Sequence, residues 1–190
     1  MAVTLNLQPA LKLTPEQFAE LAQINQDLQL ELTATGALII MPPTGGETGN
    51  KNFEIYIDLG LWNRQNPLGK AFDSSTGFRL PNGAVRSPDA SWLKLERWDP
   101  LTPEQRKKFL PLCPDFAVEL VSETDEIQTT RSKMQEYLTN GLRLGWLIDP
   151  ETKTVEIYRQ NQPVEILQSP STLSGEKVLP NFILNLQPIW

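Results

Sequence analysis

The chain of 190 residues contains no histidine and a single cysteine, Cys113. Without an imidazole it cannot run Ser-His-Asp or Cys-His chemistry, nor build a histidine-metal nuclease, a zinc deaminase or a His-ligated haem site. With no second cysteine to pair with, Cys113 forms no internal disulfide and no zinc-thiolate cluster, and reads as a small buried or loop residue. Acid-base or metal chemistry must therefore rest on carboxylates, lysines, tyrosines and hydroxyls.

Long apolar runs are also missing: none approaches the roughly 20 residues that cross a bilayer. The start, Met1-Ala2-Val3-Thr4-Leu5-Asn6-Leu7, lacks the basic-then-apolar layout of a secretory signal. The expectation is a soluble cytoplasmic protein with no membrane partner. Positive charge is scarce as well. A net charge of −6 and a pI near 4.8 weigh against a general nucleic-acid coat protein, whose affinity comes from neutralising phosphates. A local basic strip would still let an enzyme hold DNA. No repeat, low-complexity tract or linker interrupts the chain. Its 39% hydrophobic content suffices for a substantial core, so one domain over residues 1–190 is expected.

Thr14-Pro15-Glu16-Gln17 opens a short helix ending near Asn25, with an N-cap hydroxyl, proline at the first helical position and glutamine three residues after the cap. Leu28, Leu30 and Leu32 alternate with Gln29, Glu31 and Thr33, and Thr35-Gly36 turns into Ala37–Met41, which predicts a hairpin. Residues 48–65 are apolar around most of a helical circumference, as in a helix packed on a sheet. Short strands are expected at Lys70–Asp73, Thr76–Leu80 and Arg86–Leu95, then a polar excursion from Glu96 to Pro114 holding a second helix start at Thr102-Pro103-Glu104. Phe116–Val121 reads as a central strand, Ile127–Asn140 as a helix stopped by Gly141, and Leu144–Asp149 as the next strand. Thr154–Arg159, Val164–Leu167 and Val178–Leu186 complete the expected strands.

Two carboxylates stand out. Asp89, in Ser87-Pro88-Asp89-Ala90-Ser91-Trp92-Leu93, reads as a mid-strand acid, uncommon in sheets. Glu119 interrupts an otherwise apolar strand and shares a face with Ala117 and Val121. A charge there is costly unless paired or bound to a cation. On adjacent strands the two would make an oxygen-rich site suited to Mg²⁺ or Mn²⁺. The pattern alone equally allows Asp89 to cap the turn after Pro88 and Glu119 to pair with a nearby Arg or Lys.

Ser87-Pro88-Asp89, the apolar-flanked Glu119, the helix carrying Lys133-Met134-Gln135-Glu136-Tyr137 and the strand Gly145-Trp146-Leu147-Ile148-Asp149-Pro150 together resemble the Uma-type restriction endonuclease family, from about residue 14 to the C-terminus. The resemblance implies the PD-(D/E)XK nuclease superfamily and an α/β fold: a restriction-endonuclease-like mixed central β-sheet flanked by helices, with additional N- and C-terminal strands. It further implies a Mg²⁺ or Mn²⁺ cofactor held by Asp89 and Glu119, and DNA as the substrate. The superfamily pattern places an Asp on one strand and Glu-X-Lys on the next. Pro88-Asp89 matches the first part and Glu119-Leu120-Val121 the second, with Val121 where the lysine belongs.

In this family a lysine on the following helix is thought to take over, and the matching residue is Lys133. The helix's expected inward stripe is Ile127, Arg131, Met134, Leu138 and Gly141, which leaves Lys133 at the margin. Members of the superfamily often add an acid from an early helix; Glu54 is the best positional match and Glu47 its competitor. Tyr137 is assigned to core packing. Arg79, Arg86, Lys94, Arg97 and Arg106-Lys107-Lys108 are candidate phosphate contacts. Hydrolysis of DNA phosphodiester bonds by a metal-dependent endonuclease is thus the reading, with a homodimer suggested by analogy with readers of palindromic sites. The rival is a non-catalytic binding or interaction module on the same fold, which the acidic balance and the missing strand lysine favour.

Overall fold

The computed structural model describes residues 2–190. The expected first helix is α1 (Pro15–Ile24), and its N-terminus carries a full capping box between Thr14 and Gln17. The hairpin follows as β2 (Gln29–Leu32) and β3 (Leu38–Met41), and β1 (Val3–Leu5) adds to its outer edge. The long helix α2 runs from Gly46 to Gln65. It buries Ile55, Leu59 and Trp62 but leaves Phe53, Ile57 and Leu61 exposed, so only one side of the apolar circumference packs against protein.

Next come β4 (Gly69–Asp73), β5 (Phe78–Arg79), β6 (Val85–Arg86) and β7 (Ala90–Lys94). The expected strand Arg86–Leu95 is therefore two strands. Its halves belong to different sheets, because Ser87-Pro88-Asp89 carries the chain from one to the other and Pro88 has no N–H to give a ladder. The one-turn helices α3 (Leu95–Trp98) and α4 (Pro103–Arg106) lie in the polar excursion, the latter with its own capping box at Thr102.

The central unit is β8 (Phe116–Leu120), α5 (Ile127–Thr139) and β9 (Leu144–Asp149). Gly141 stops α5, as expected, at a positive φ of 107° that an L side chain rarely adopts. Then follow β10 (Thr154–Arg159), β11 (Glu165–Gln168), β12 (Thr172–Ser174) and β13 (Ile183–Asn185). The expected strand Val178–Leu186 is mostly a turn whose apolar residues reach into the core; only its Ile183–Asn185 portion is extended and paired.

The strands form a five-stranded sheet in the order β1-β3-β2-β6-β5, a six-stranded sheet in the order β11-β10-β9-β8-β7-β4, and the β12-β13 pair. Within the six-stranded sheet only β8 and β9 are parallel, joined through α5, so the sheet is mixed. Alternation splits β8 between two cores. Phe116, Val118 and Leu120 join α2 and an aromatic group of Trp62, Trp92, Trp146 and Phe182, while Ala117 and the half-buried Val121 pack with Met134 and Tyr137 of α5. Glu119 therefore points into the α5 layer. No helix is long and apolar enough to cross a membrane among the described residues.

Candidate functional site

The β7-β8 register pairs Ala90 with Val118 and Ser91 with Ala117; continued by one residue, it sets Asp89 abreast of Glu119. Asp89 precedes β7 instead of sitting within it, and its Oδ2 accepts the Leu120 N–H at 2.7 Å. The two expected carboxylates thus meet at the point where the chain changes sheets.

Lys133 meets them from above. Its ammonium is 2.9 Å from Glu119 Oε1, 3.0 Å from Oε2 and 2.9 Å from Glu31 Oε1, and it donates to the Ser87 carbonyl at 3.3 Å. The buried face of α5 is centred on Met134 and Tyr137, and it includes Lys133. Arg131, expected to face inward, lies half-exposed and pairs with Glu156 at 2.6 Å, because β10 offers it a carboxylate at the sheet surface. Tyr137 is fully buried in the core, and its hydroxyl also donates to Glu119 Oε1 at 3.0 Å.

Glu31 is the residue that sequence reasoning passed over. On β2 it belongs to the polar alternation Gln29, Glu31, Thr33, which looks like a solvent face; yet it is only 2% exposed. Its Oε1 accepts the Ser87 N–H at 2.8 Å and its Oε2 the Arg86 guanidinium at 3.0 Å. Arg86 also donates through Nε to Glu136 at 2.6 Å. The only early signal was a carboxylate in a short strand preceding the long helix.

The electrostatics follow from this sharing. Burial disfavours the Glu31 charge, but Lys133, Arg86 and the Ser87 N–H outweigh it and hold Glu31 below the usual carboxylate value. Glu119 has only the shared Lys133, so burial, with Asp89 and Glu31 nearby, pushes it up to about 8. Asp89 is raised too, chiefly by burial, which Lys133 and the Leu120 N–H offset only in part. Burial opposes the ammonium of Lys133, yet the Glu119, Glu31 and Asp89 carboxylates prevail and raise it above its ordinary value. Lys133 is thus a cation at every physiological pH.

These groups form one wall of a cavity of about 870 Å³, lined also by Thr44–Thr48 at the start of α2, by Asn52, and by Ser122–Asp125. Glu47 lines this cavity, whereas Glu54, the preferred early-helix acid, does not. Of the expected phosphate contacts only Arg86 borders it. Lys94 pairs with Glu96, Arg97 with the buried Asp115, Arg79 reaches Glu16, and Arg106 lies over the Trp98 ring. Trp92 is a core residue whose Nε1 donates to Asn63.

Among the described residues no three acidic, histidine or cysteine side chains form a ready-made metal cage, since Lys133 stands between Glu31 and Glu119. The donor chemistry nevertheless suits a hard cation. Mg²⁺ keeps several waters and needs only one or two carboxylates. Glu31, Asp89, Glu119 and Glu136 face Lys133 and Arg86, two carboxyl groups more than cations, and that excess, which helps raise Glu119 in the metal-free protein, is what a divalent ion would neutralise.

The six-stranded mixed sheet is flanked by helices, and the carboxylates converge at the ends of its internal strands β7 and β8. The chain belongs to the Uma2 family, described as "Putative restriction endonuclease", whose model matches residues 15–187. Its fold is similar to that of a solved protein from Anabaena variabilis ATCC 29413, titled a putative nuclease belonging to DUF820. The TM-score is 0.78 and the identity 19%, over 93% of this chain and 97% of the other. No curated protein matches the chain.

Proposed function

We propose that the protein is a metal-dependent endonuclease that hydrolyses DNA phosphodiester bonds at the cavity wall formed by Asp89, Glu119, Glu31 and Lys133. The observation that carries this reading is a buried group of four carboxyls against two cations, with a protonated lysine at its centre. Asp89 and Glu119 would hold Mg²⁺ or Mn²⁺. When bound, such an ion polarises a nonbridging phosphate oxygen and lowers the pKa of a water.

The protein's own groups do the rest. Lys133 is held protonated, so its part is to stabilise charge building on the phosphoryl oxygens and not to take a proton from water. Glu31, clamped by Arg86 and the Ser87 N–H, keeps the ammonium near Glu119. Tyr137 and the Ser87 carbonyl limit the rotamers open to Glu119 and Lys133. Preorganised charge of this kind is worth about 10² to 10³ in rate when one group is removed.

Nicking of supercoiled plasmid DNA with Mn²⁺ or Mg²⁺, alongside calorimetry with Mn²⁺, tests the proposal. Cleavage that requires the metal and disappears in Glu119→Gln supports it. Metal-independent cleavage, or full activity in that variant, sinks it. The acidic cavity lining and Val121 favour the second reading, a non-catalytic binding module, and that reading predicts neither Mn²⁺ binding nor nicking.

A further inference from the structure

Exposed apolar side chains occur singly on every protein surface, but on α2 they line up. Phe53, Ile57 and Leu61 are 58%, 36% and 51% exposed and follow one another at four-residue spacing, which sets them on one ridge of the helix face turned away from the core. The segment leading into β13 continues the patch. It runs beside α2, where the Asn185 N–H donates to Asp58 at 3.0 Å and the Trp62 indole donates to the Pro180 carbonyl at 3.0 Å. Between these two anchors stands Ile183, 53% exposed. Contiguous exposed apolar surface of this kind marks an interaction site.

Two further features of the same face have no explanation within one chain. Gly60 lies in the helix interior, where glycine costs about 1 kcal/mol relative to alanine, yet a Cβ there would meet nothing within 4 Å. Helical spacing puts it on the Phe53 flank of the ridge. The other feature is charge. Glu47 and Glu54 lie in the first half of α2 and Arg64 in its last turn, and none of the three makes an ion pair among the described residues. A helix face that is acidic towards its start and basic at its end complements a copy of itself turned end for end, and opposes one laid parallel.

From this geometry we infer that α2 pairs antiparallel with α2 of a second copy of this chain, about a two-fold axis that passes at Ile57. A two-fold brings each flank of the helix against the same flank of its copy. Phe53 then lies over Gly60 of the second copy, where the missing side chain makes room for its ring, and Arg64 reaches towards Glu54 of the second copy. The helix face is about 30 Å long and 10–12 Å wide. With Ile183 alongside it, the two copies together bury about 1,000 Å², the lower end for a specific contact, so the dimer is of micromolar affinity. This pairing does not depend on the nuclease reading.

Sedimentation velocity of the full chain, from about 1 to about 300 µM, tests the pairing. The mass should rise from the 21.4 kDa of one chain towards twice that value. Ile57→Glu sets two like charges on the axis and should abolish association while circular dichroism stays unchanged. Gly60→Gln should raise the melting temperature yet weaken association, because it favours the helix and fills the seat of the Phe53 ring. Arg64→Glu and Glu54→Arg should each weaken the dimer about tenfold, since each change occurs twice per dimer; the double variant restores the pairs in reverse and should return to within about threefold of wild type. A chain that stays monomeric throughout overturns the pairing and leaves the ridge to a different partner. A dimer indifferent to Ile57→Glu or Gly60→Gln overturns it as well, and so does a double charge variant as weak as its two single changes combined.

Discussion

Replacing Glu119 by glutamine should stabilise the metal-free protein at high pH, although it removes a charged partner of Lys133. Glu119 is buried, and its carboxyl is pushed up to about 8 from an ordinary 4.5. The folded state therefore binds a proton that the unfolded state has released between those values. The stability Glu119 contributes is fully present below about pH 4.5 and lost as pH rises through about 8. At ~1.4 kcal/mol per pKa unit the full penalty is about 5 kcal/mol, of which about 3 kcal/mol has accrued by pH 7. Glutamine carries no such penalty. Its Oε1 can still accept from Lys133 and Tyr137, both of which meet Glu119 Oε1, but its amide NH₂ would replace the Oε2 that lies 3.0 Å from the ammonium. That lost contact costs about 1 to 2 kcal/mol. Urea unfolding in EDTA should therefore find the variant slightly less stable than wild type near pH 5.5 and about 3 kcal/mol more stable near pH 9. The difference between the two proteins cancels other titrating groups. A difference independent of pH, or a wild type that gains on the variant as pH rises, would refute the assignment of the uncompensated charge to Glu119.

Lys133→Met should destabilise the fold by about 3 kcal/mol, because it leaves Glu31 and Glu119 buried without their shared cation. Combining it with Glu119→Gln should recover part of that loss, and a strictly additive double mutant in urea melts would show that the pair is not coupled. Asp89→Asn keeps an acceptor for the Leu120 N–H, so its circular dichroism should match wild type while calorimetric Mn²⁺ binding weakens at least tenfold. Unchanged affinity would remove Asp89 from the metal site. Cys113 is 1% exposed and burial pushes its thiol up to about 12, so a disulfide reagent at pH 8 should label it only after unfolding in guanidinium. Rapid labelling of the native protein would contradict its packing.

Local patterns carried much of the fold, because capping boxes, alternation and the strand-helix-strand order around α5 depend on near neighbours. The failures arise where distant segments decide. Asp89 read as a mid-strand acid because Arg86–Leu95 alternates smoothly; only the two-sheet arrangement shows that Pro88 and Asp89 form the crossing. Glu31 went without a role because a hairpin's polar face is ambiguous until something packs on it, here Lys133 of α5 and Arg86. Glu54 was preferred to Glu47 on position, yet Glu47 lines the cavity, since which face of α2 borders it depends on how the helix start docks. The basic residues were visible as charges, but their acidic partners at Glu16, Glu96 and Asp115 were not.

The proposed reading, in which a helix lysine stands in for a strand lysine, has a physical basis in the second core. A residue at position 121 shares the Glu119 side of β8 and packs among the apolar residues beneath α5. A lysine there would bring its stem into that layer, and Val121 fills it instead. The helix that covers the layer can supply the ammonium from outside. Lys133 sits next to Met134 on α5, so its backbone lies over the core while its four-carbon stem carries Nζ to Glu119 and onward to Glu31. Reaching both acids is something the helix position achieves by entering between two sheets. Glu31 belongs to the five-stranded sheet and Glu119 to the six-stranded one, so a single ammonium ties the two together at the cavity wall. The same contact explains why the carboxylates do not close into a cage: the lysine stands between Glu31 and Glu119 and touches both oxygens of Glu119, so in the proposed site a cation would have to share Glu119 with Lys133.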